Sequence, residues 1–218
     1  MTAGARDTTR SRMGIRPADS ATRRAVDVAV ALLALVLLLP LLVCLALAIR
    51  LSSPGPAFFR QERVGSCGTR FRIWKFRTMV VDAERRGPMV SGRVDPRVTS
   101  VGRLLRATRM DELPQLINLF RGEMTLVGPR PEVPRFVTHY SRAECALLSV
   151  RPGIIGPGAL LFAAEQADEL DHAVDPDLHY VRYHLHPKLA LDLEYLASRG
   201  LRRDVGLVLA ALRTAVGR

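Results

Sequence analysis

Two adjacent carboxylates, Asp111 and Glu112, stand just before Leu113-Pro114 in a strongly basic chain. Neighbouring side chains on a helix point in different directions, so a carboxylate pair sharing one proton is disfavoured. Two separate tasks suit them better, one as a nucleophile and one as a ligand for a hard cation such as Mg²⁺. A helix N-terminus would keep either of them ionised. Taken alone the pair reads as a helix cap, and its surroundings change that reading. Arg103, Arg106 and Arg109 lie upstream, and Gly128-Pro129-Arg130-Pro131 lies downstream. Pro129 and Pro131 fix the backbone on both sides of Arg130, whose guanidinium suits bidentate contact with phosphate. Lys75 and Arg77 add cations at the end of an expected strand. An acidic pair among rigidly placed cations fits phosphoryl transfer, in which positioning and charge neutralisation supply most of the catalysis.

Composition narrows the partners. The chain has 218 residues, enough for one domain and a short accessory element, and a formal net charge of +11. Such an excess calls for an anionic partner: nucleic acid, anionic lipid or a phosphorylated substrate. Nucleic acid is disfavoured, because Trp74 is the single Trp, the arginines are dispersed and no basic helix carries base-reading polar residues. Among 32 basic residues only Lys75 and Lys188 are lysines, which marks them either for their chemistry or as plain surface charges. Cys44, Cys67 and Cys145 form neither a disulfide framework nor a zinc spacing, as expected of a reducing, cytosol-facing protein. His172, His179, His184 and His186 fall among Asp168, Asp171, Asp175 and Asp177 without a zinc-hydrolase spacing, and read as a polar surface segment rather than a metal site.

The elements that must position these groups begin with a basic tail, residues 1–22, expected to be disordered. A membrane-embedded segment, 23–51, follows, and then a catalytic domain over 52–218. Val28 to Ile49 is a run of 22 uncharged residues, which as a helix spans about 33 Å, enough to cross a bilayer's hydrocarbon core. Pro40 falls near its middle and both flanks are basic, with Arg23 and Arg24 before it and Arg50, Arg60 and Arg63 after it. These features fit a helix that enters and leaves on one side, and equally a kinked single span. Ser52-Ser53-Pro54-Gly55-Pro56 closes the segment. Ala57–Val64 and Arg70–Arg77 read as a hairpin, and residues 82–98 as an irregular polar connection. Thr99 or Ser100 caps a short helix. Pro114 is expected to open a further helix, ended by Arg121-Gly122, that is apolar around most of its circumference. The C-terminal stripe Leu201, Val205, Val208, Leu209, Leu212 and Val216 fits a helix lying in the membrane interface or packed on the core.

The ordered motifs resemble those of the bacterial sugar transferases, the monotopic polyprenyl-phosphate phosphoglycosyl transferases, over residues 23–213. They are Ser53-Pro54-Gly55-Pro56 with Phe58-Phe59-Arg60-Gln61, Lys75-Phe76-Arg77-Thr78-Met79, Asp111-Glu112-Leu113-Pro114-Gln115-Leu116, Gly122 through Pro131, Arg151-Pro152-Gly153, and Leu189 to Leu196. The resemblance implies a mostly α fold with a small β-hairpin (α+β), a re-entrant membrane helix broken near Pro40, amphipathic interface helices and a compact cytosolic catalytic domain. It implies a first membrane step of exopolysaccharide or glycoconjugate synthesis, at the cytoplasmic face of the inner membrane. In that step Asp111 attacks the sugar-bearing phosphate of a UDP-sugar, UMP leaves, and polyprenyl (undecaprenyl) phosphate takes the phosphosugar. Glu112 helps hold Mg²⁺, and Lys75, Arg77, Arg106, Pro129, Arg130 and Pro131 make up the substrate site. The chain departs from the family pattern at Leu39-Pro40, where Ser-Pro is common, and at Pro152-Gly153-Ile154-Ile155-Gly156-Pro157, where Pro-Gly-Ile-Thr-Gly-Trp is common. Arg109 stands where a small polar residue is usual.

Overall fold

The computed structural model describes residues 20–216, so the expected basic tail lies outside the described residues except for its end. Helix α1 (Ala21–Ser52) starts where the Ser20 side chain accepts the Arg23 N–H, and carries the apolar run. It is long and apolar enough to cross a membrane, and it leaves side chains such as Leu33, Val36 and Leu37 exposed. Pro40 lies inside one continuous helical segment, so the expected break is not an interruption of the helix.

The hairpin forms where the alternation of residues placed it. Strands β1 (Phe58–Val64) and β2 (Arg70–Phe76) pair antiparallel with Phe58 opposite Phe76 and Val64 opposite Arg70. Cys67 and Gly68 turn the chain with positive φ. Residues 82–98 are a long connection with one 3₁₀ turn at Ala83–Arg85. Thr99 caps α2 (Ser100–Ala107) by accepting the Gly102 N–H at 3.0 Å.

The next segment corrects an expectation. Pro114 does not open an α-helix; it lies within a 3₁₀ turn, Met110–Gln115, and α3 starts only at Leu116 and runs to Arg121. Arg109 enters that turn with φ +59°, a left-handed conformation uncommon for a bulky side chain. Gly122, also left-handed, ends α3 as expected. Short strands β3 (Thr125–Val127) and β4 (Gly153–Ile155) pair in parallel, with the short turn α4 (Pro134–Val137) between them in sequence.

The acidic, histidine-rich stretch is helical: α5 (Pro157–His172), α6 (Pro176–His179), a π-helical segment (Tyr180–Leu185) and α7 (His186–Ala197) follow one another. Helix α8 (Leu201–Val216) ends the description. The main core gathers Val127, Phe136, Leu147, Tyr180, Leu185 and Tyr195 from these elements. Leu207 and Val208 of α8 pack against it, while Leu201, Val205, Leu209 and Leu212 stay exposed.

Both ends of α1 are fastened to this domain. In its first turns, Arg24 donates to the carbonyls of Leu119 and Phe120 at 2.6 and 2.7 Å, which caps the end of α3. Asp27, buried, accepts the Thr125 hydroxyl at 2.8 Å and the Leu126 N–H at 3.0 Å. Arg23 pairs with Asp204 of α8 at 2.6 Å. In the last turns, Ile49 packs with Phe76 and Leu105, and Arg77 binds the carbonyls that follow.

Candidate active site

The 3₁₀ turn sets Asp111 and Glu112 against the hairpin, and it gives them different surroundings. Glu112 Oε1 accepts from Lys75 Nζ at 3.0 Å and from the Arg130 guanidinium. Burial opposes its charge, yet Arg130 and Lys75 hold its carboxyl well below the usual carboxylate range. Asp111 is also buried, but no hydrogen bond from the described residues reaches its carboxylate. Burial and the neighbouring Glu112 charge push its pKa up, while Lys75, Arg106 and Arg109 favour the ionised form. One carboxylate is therefore a fixed anion that organises cations, and the other is left uncommitted among them. Lys75 is itself pushed down by burial, with Glu112 working against that shift.

Arg130 is placed by close backbone packing. The N–H of Gly153 donates to the Pro129 carbonyl at 2.8 Å and that of Gly128 to Ile155 at 3.1 Å. A Cβ on Gly153 would lie 2.1 Å from the Gly128 nitrogen, so only glycine permits these two turns to touch. The same guanidinium that binds Glu112 donates to the Ile154 carbonyl at 2.6 Å. The segment that departs from the family pattern is thus the wall against which Arg130 is braced. Pro129 and Pro131 flank the arginine, and the Pro131 carbonyl accepts from Arg63 at 3.1 Å. Both prolines shape the loop.

Arg106 lies at the rim of this group, bonded to the Thr78 hydroxyl at 2.9 Å and to Ser91 at 2.8 Å, near enough to Asp111 to feel its charge. Arg77 is not brought to the site. Its buried guanidinium donates to the carbonyls of Pro54 at 2.5 Å and Ser53 at 2.9 Å, and to the Ser53 hydroxyl at 2.9 Å. A Cβ at Gly55, whose φ is +114°, would collide with that guanidinium, so the Pro-Gly-Pro turn is moulded around it. Strand alternation would place Lys75 and Arg77 on one face, but β2 ends at Phe76, so Arg77 lies beyond the strand and that alternation no longer holds for it.

Behind the site lies a buried polar network that the sequence did not single out, apart from Lys188. Tyr180 donates to Glu132, Lys188 donates to Tyr180 at 2.8 Å and faces Glu132 at 3.6 Å, and Arg63 faces Glu132 at 3.8 Å. Asp192 accepts the N–H of Arg130 at 3.3 Å and that of Gly158 at 3.0 Å. Burial pushes Asp192 up to about 6. Acids set in largely apolar runs, such as Asp192 (with Glu194) within Leu189–Leu196 and Asp27 at the head of α1, were the available signal.

The donor chemistry is compatible with Mg²⁺, which usually takes one or two carboxylates and leaves its other positions to water and substrate phosphate. Glu112 spends Oε1 on two cations, so its second oxygen and the Asp111 carboxylate are the groups that would hold the ion.

A small helical domain with this cation-clad carboxylate pair, fastened to both ends of one long apolar helix, has the make-up of a membrane-associated enzyme of phosphoryl transfer. The chain belongs to the bacterial sugar transferase family, whose profile matches residues 18–218. It is 40% identical to a UDP-glucose:undecaprenyl-phosphate glucose-1-phosphate transferase of Caulobacter vibrioides, over 89% of this chain and 69% of that protein. It is 42% identical to the protein of the same description in Escherichia coli, over 73% of this chain and 36% of that one. It is 39% identical to a UDP-N-acetylgalactosamine-undecaprenyl-phosphate N-acetylgalactosaminephosphotransferase of Aeromonas hydrophila, over 73% of this chain and 39% of that one. The match therefore spans little more than a third of the length of these last two relatives.

Proposed function

We propose that the chain transfers a sugar 1-phosphate from a UDP-sugar to a polyprenyl phosphate, such as undecaprenyl phosphate, at the cytoplasmic face of the membrane. An Asp111 carboxylate oxygen attacks the sugar-bearing phosphorus, and the bond to the bridging oxygen breaks so that UMP leaves. A phosphate oxygen of the lipid then attacks the same phosphorus and releases Asp111. The observation that carries this reading is the division between adjacent carboxylates: Glu112 is engaged by Lys75 and Arg130, while no hydrogen bond from the described residues reaches the Asp111 oxygens. A nucleophile needs that freedom, and charge developing on the phosphoryl oxygens needs cations already in place. Mg²⁺, when bound by Glu112 and Asp111, would neutralise phosphate charge. Lys75, Arg106 and Arg130 bind and orient the diphosphate. The relatives named above act on glucose and N-acetylgalactosamine donors, which supports the donor class and leaves the sugar to be found.

The fastening of α1 supports a re-entrant rather than a spanning helix. Arg24 and Asp27 at one end and the Ile49–Pro54 carbonyls at the other all bond to one domain, so both ends belong on that domain's side of the membrane. The exposed apolar face of α8, tied to the start of α1 through Asp204, suits the same interface.

Tag-free protein in nanodiscs, given Mg²⁺, a panel of UDP-sugars and undecaprenyl phosphate, is expected to release UMP. With one donor and no lipid, mass spectrometry should find a phosphosugar on the peptide containing Asp111. Turnover without an adduct at Asp111, or turnover that persists in Asp111→Asn, would reject the covalent reading.

A further inference from the structure

We propose that Glu169, His179 and His184 form a binding site for a divalent transition-metal ion of the Zn²⁺ class, separate from the Asp111–Glu112 site. Their ligand atoms all lie within 4.8 Å of one another. His179 Nε2 hydrogen-bonds Glu169 Oε2 at 3.2 Å, and His184 Nε2 lies 3.0 Å from the same oxygen. Ligand atoms around a tetrahedral ion with bonds near 2.1 Å stand about 3.4 Å apart. The side chains are thus close to the spacing an ion would impose. Two imidazoles and one carboxylate suit a borderline-soft ion, whereas Mg²⁺ prefers an all-oxygen shell.

The backbone makes this convergence. In an α-helix, residues five apart point about 140° away from each other. Here the chain from Tyr180 to Leu185 is π-helical, and the wider turn carries His184 back toward the side of His179. A π segment is rare and is frequent at functional sites. Glu169 reaches the pair from α5, on a separate element. His184 is buried and its ring lies nearly parallel to Tyr180, while His179 packs against Tyr183, so both imidazoles are oriented by packing. Glu169 is 43% exposed and gives an ion a way in from solvent.

The site joins α5 to the π segment, and both neighbouring helices hold the long connection 82–98. Asp171 of α5 accepts the N–H groups of Arg93 and Val94 at 2.9 and 3.0 Å, and Asp177 of α6 accepts those of Met89 and Val90 at 2.8 and 3.1 Å. Ser91 of that connection touches Arg106. A bound ion would stiffen this frame from outside the active site.

The test uses the tag-free full chain in detergent, stripped with EDTA and then titrated with Zn²⁺ against a chromophoric chelator, with Co²⁺ as a spectroscopic substitute. One high-affinity ion per chain is expected, with visible Co²⁺ bands of four- or five-coordinate intensity, and excess Mg²⁺ should not displace it. His179→Gln and Glu169→Gln, both on partly exposed side chains, should each weaken binding by at least about 100-fold, more than loss of an outer-shell partner does. His184→Gln should do the same, but its buried position makes the other two the deciding variants. Absence of a stoichiometric ion, or an affinity unchanged in His179→Gln and Glu169→Gln, would overturn the proposal and leave the three side chains as a polar cluster.

Discussion

The carboxylate of Asp192 on α7 accepts the main-chain N–H of Arg130 at 3.3 Å, and so ties the loop that carries the candidate phosphate-binding arginine to the helix behind it. Its other oxygen takes the N–H of Gly158 at the start of α5. Substitution Asp192→Asn keeps the shape but turns an amide NH₂ toward one of these donors. We expect kcat to fall by about 10- to 100-fold with a small change in KM, as for a displaced catalytic group. The pH dependence gives a second readout. Burial raises Asp192 to about 6 in the folded protein, above an unfolded value near 3.9. The folded state then holds the proton more tightly, so this group's contribution makes the protein less stable as pH rises from about 4 through about 6. In Asp192→Asn that slope should be absent, which melting curves across this range would check.

Asp111→Asn should abolish turnover and at the same time raise the melting temperature at neutral pH. Burial and the Glu112 charge push Asp111 up, so its ionised form is held at a cost in stability. That cost is absent below the unfolded pKa and grows as pH rises toward the folded one. The stabilisation of the variant should therefore shrink as the buffer is acidified. A variant less stable than the parent at pH 7 would contradict the assignment of Asp111 as an uncommitted buried carboxylate.

Arg130→Lys tests the fork that joins Glu112 to the Ile154 carbonyl. A lysine keeps the charge but cannot make both contacts in one plane. The expected loss in kcat is about 10²- to 10³-fold, the range for removal of one preorganised donor. Glu112→Gln should instead lower stability, by about 3 kcal/mol, because Lys75 and Arg130 lose the anion between them. The paired Glu112 is held below its unfolded value, so its stabilising contribution is present above about pH 4.3 and is lost as pH falls. Denaturant unfolding at pH 7 and pH 3.5 should show the wild-type advantage narrowing at the lower pH.

Arg77→Met separates a structural arginine from a substrate-binding one. Its bonds run to Pro54 and Ser53 at the exit of α1, so KM for the donor should stay unchanged. Stability should drop by about 3 kcal/mol, because charged hydrogen bonds from a buried guanidinium to the carbonyls at the exit of α1 are lost. A rise in KM with unchanged melting would return Arg77 to the binding site.

The amino-acid sequence by itself determined the local elements and the chemical types at the site. An uncharged run set α1, the alternation around Gly65–Thr69 set the hairpin, Thr99 and Gly122 set helix ends, and the order of motifs set the family. These are short-range or compositional signals that survive without long-range contacts. Only the tertiary structure decided how the carboxylates divide, since Lys75 and Arg130 reach Glu112 from 37 and 18 residues away. It alone sent Arg77 to the end of α1, placed Asp192 behind Arg130, and gave a histidine-rich stretch that read as polar surface a π segment that brings two imidazoles beside one carboxylate. Hydrogen bonds across such separations depend on where packed elements come to rest, and residue type and spacing alone do not carry that information.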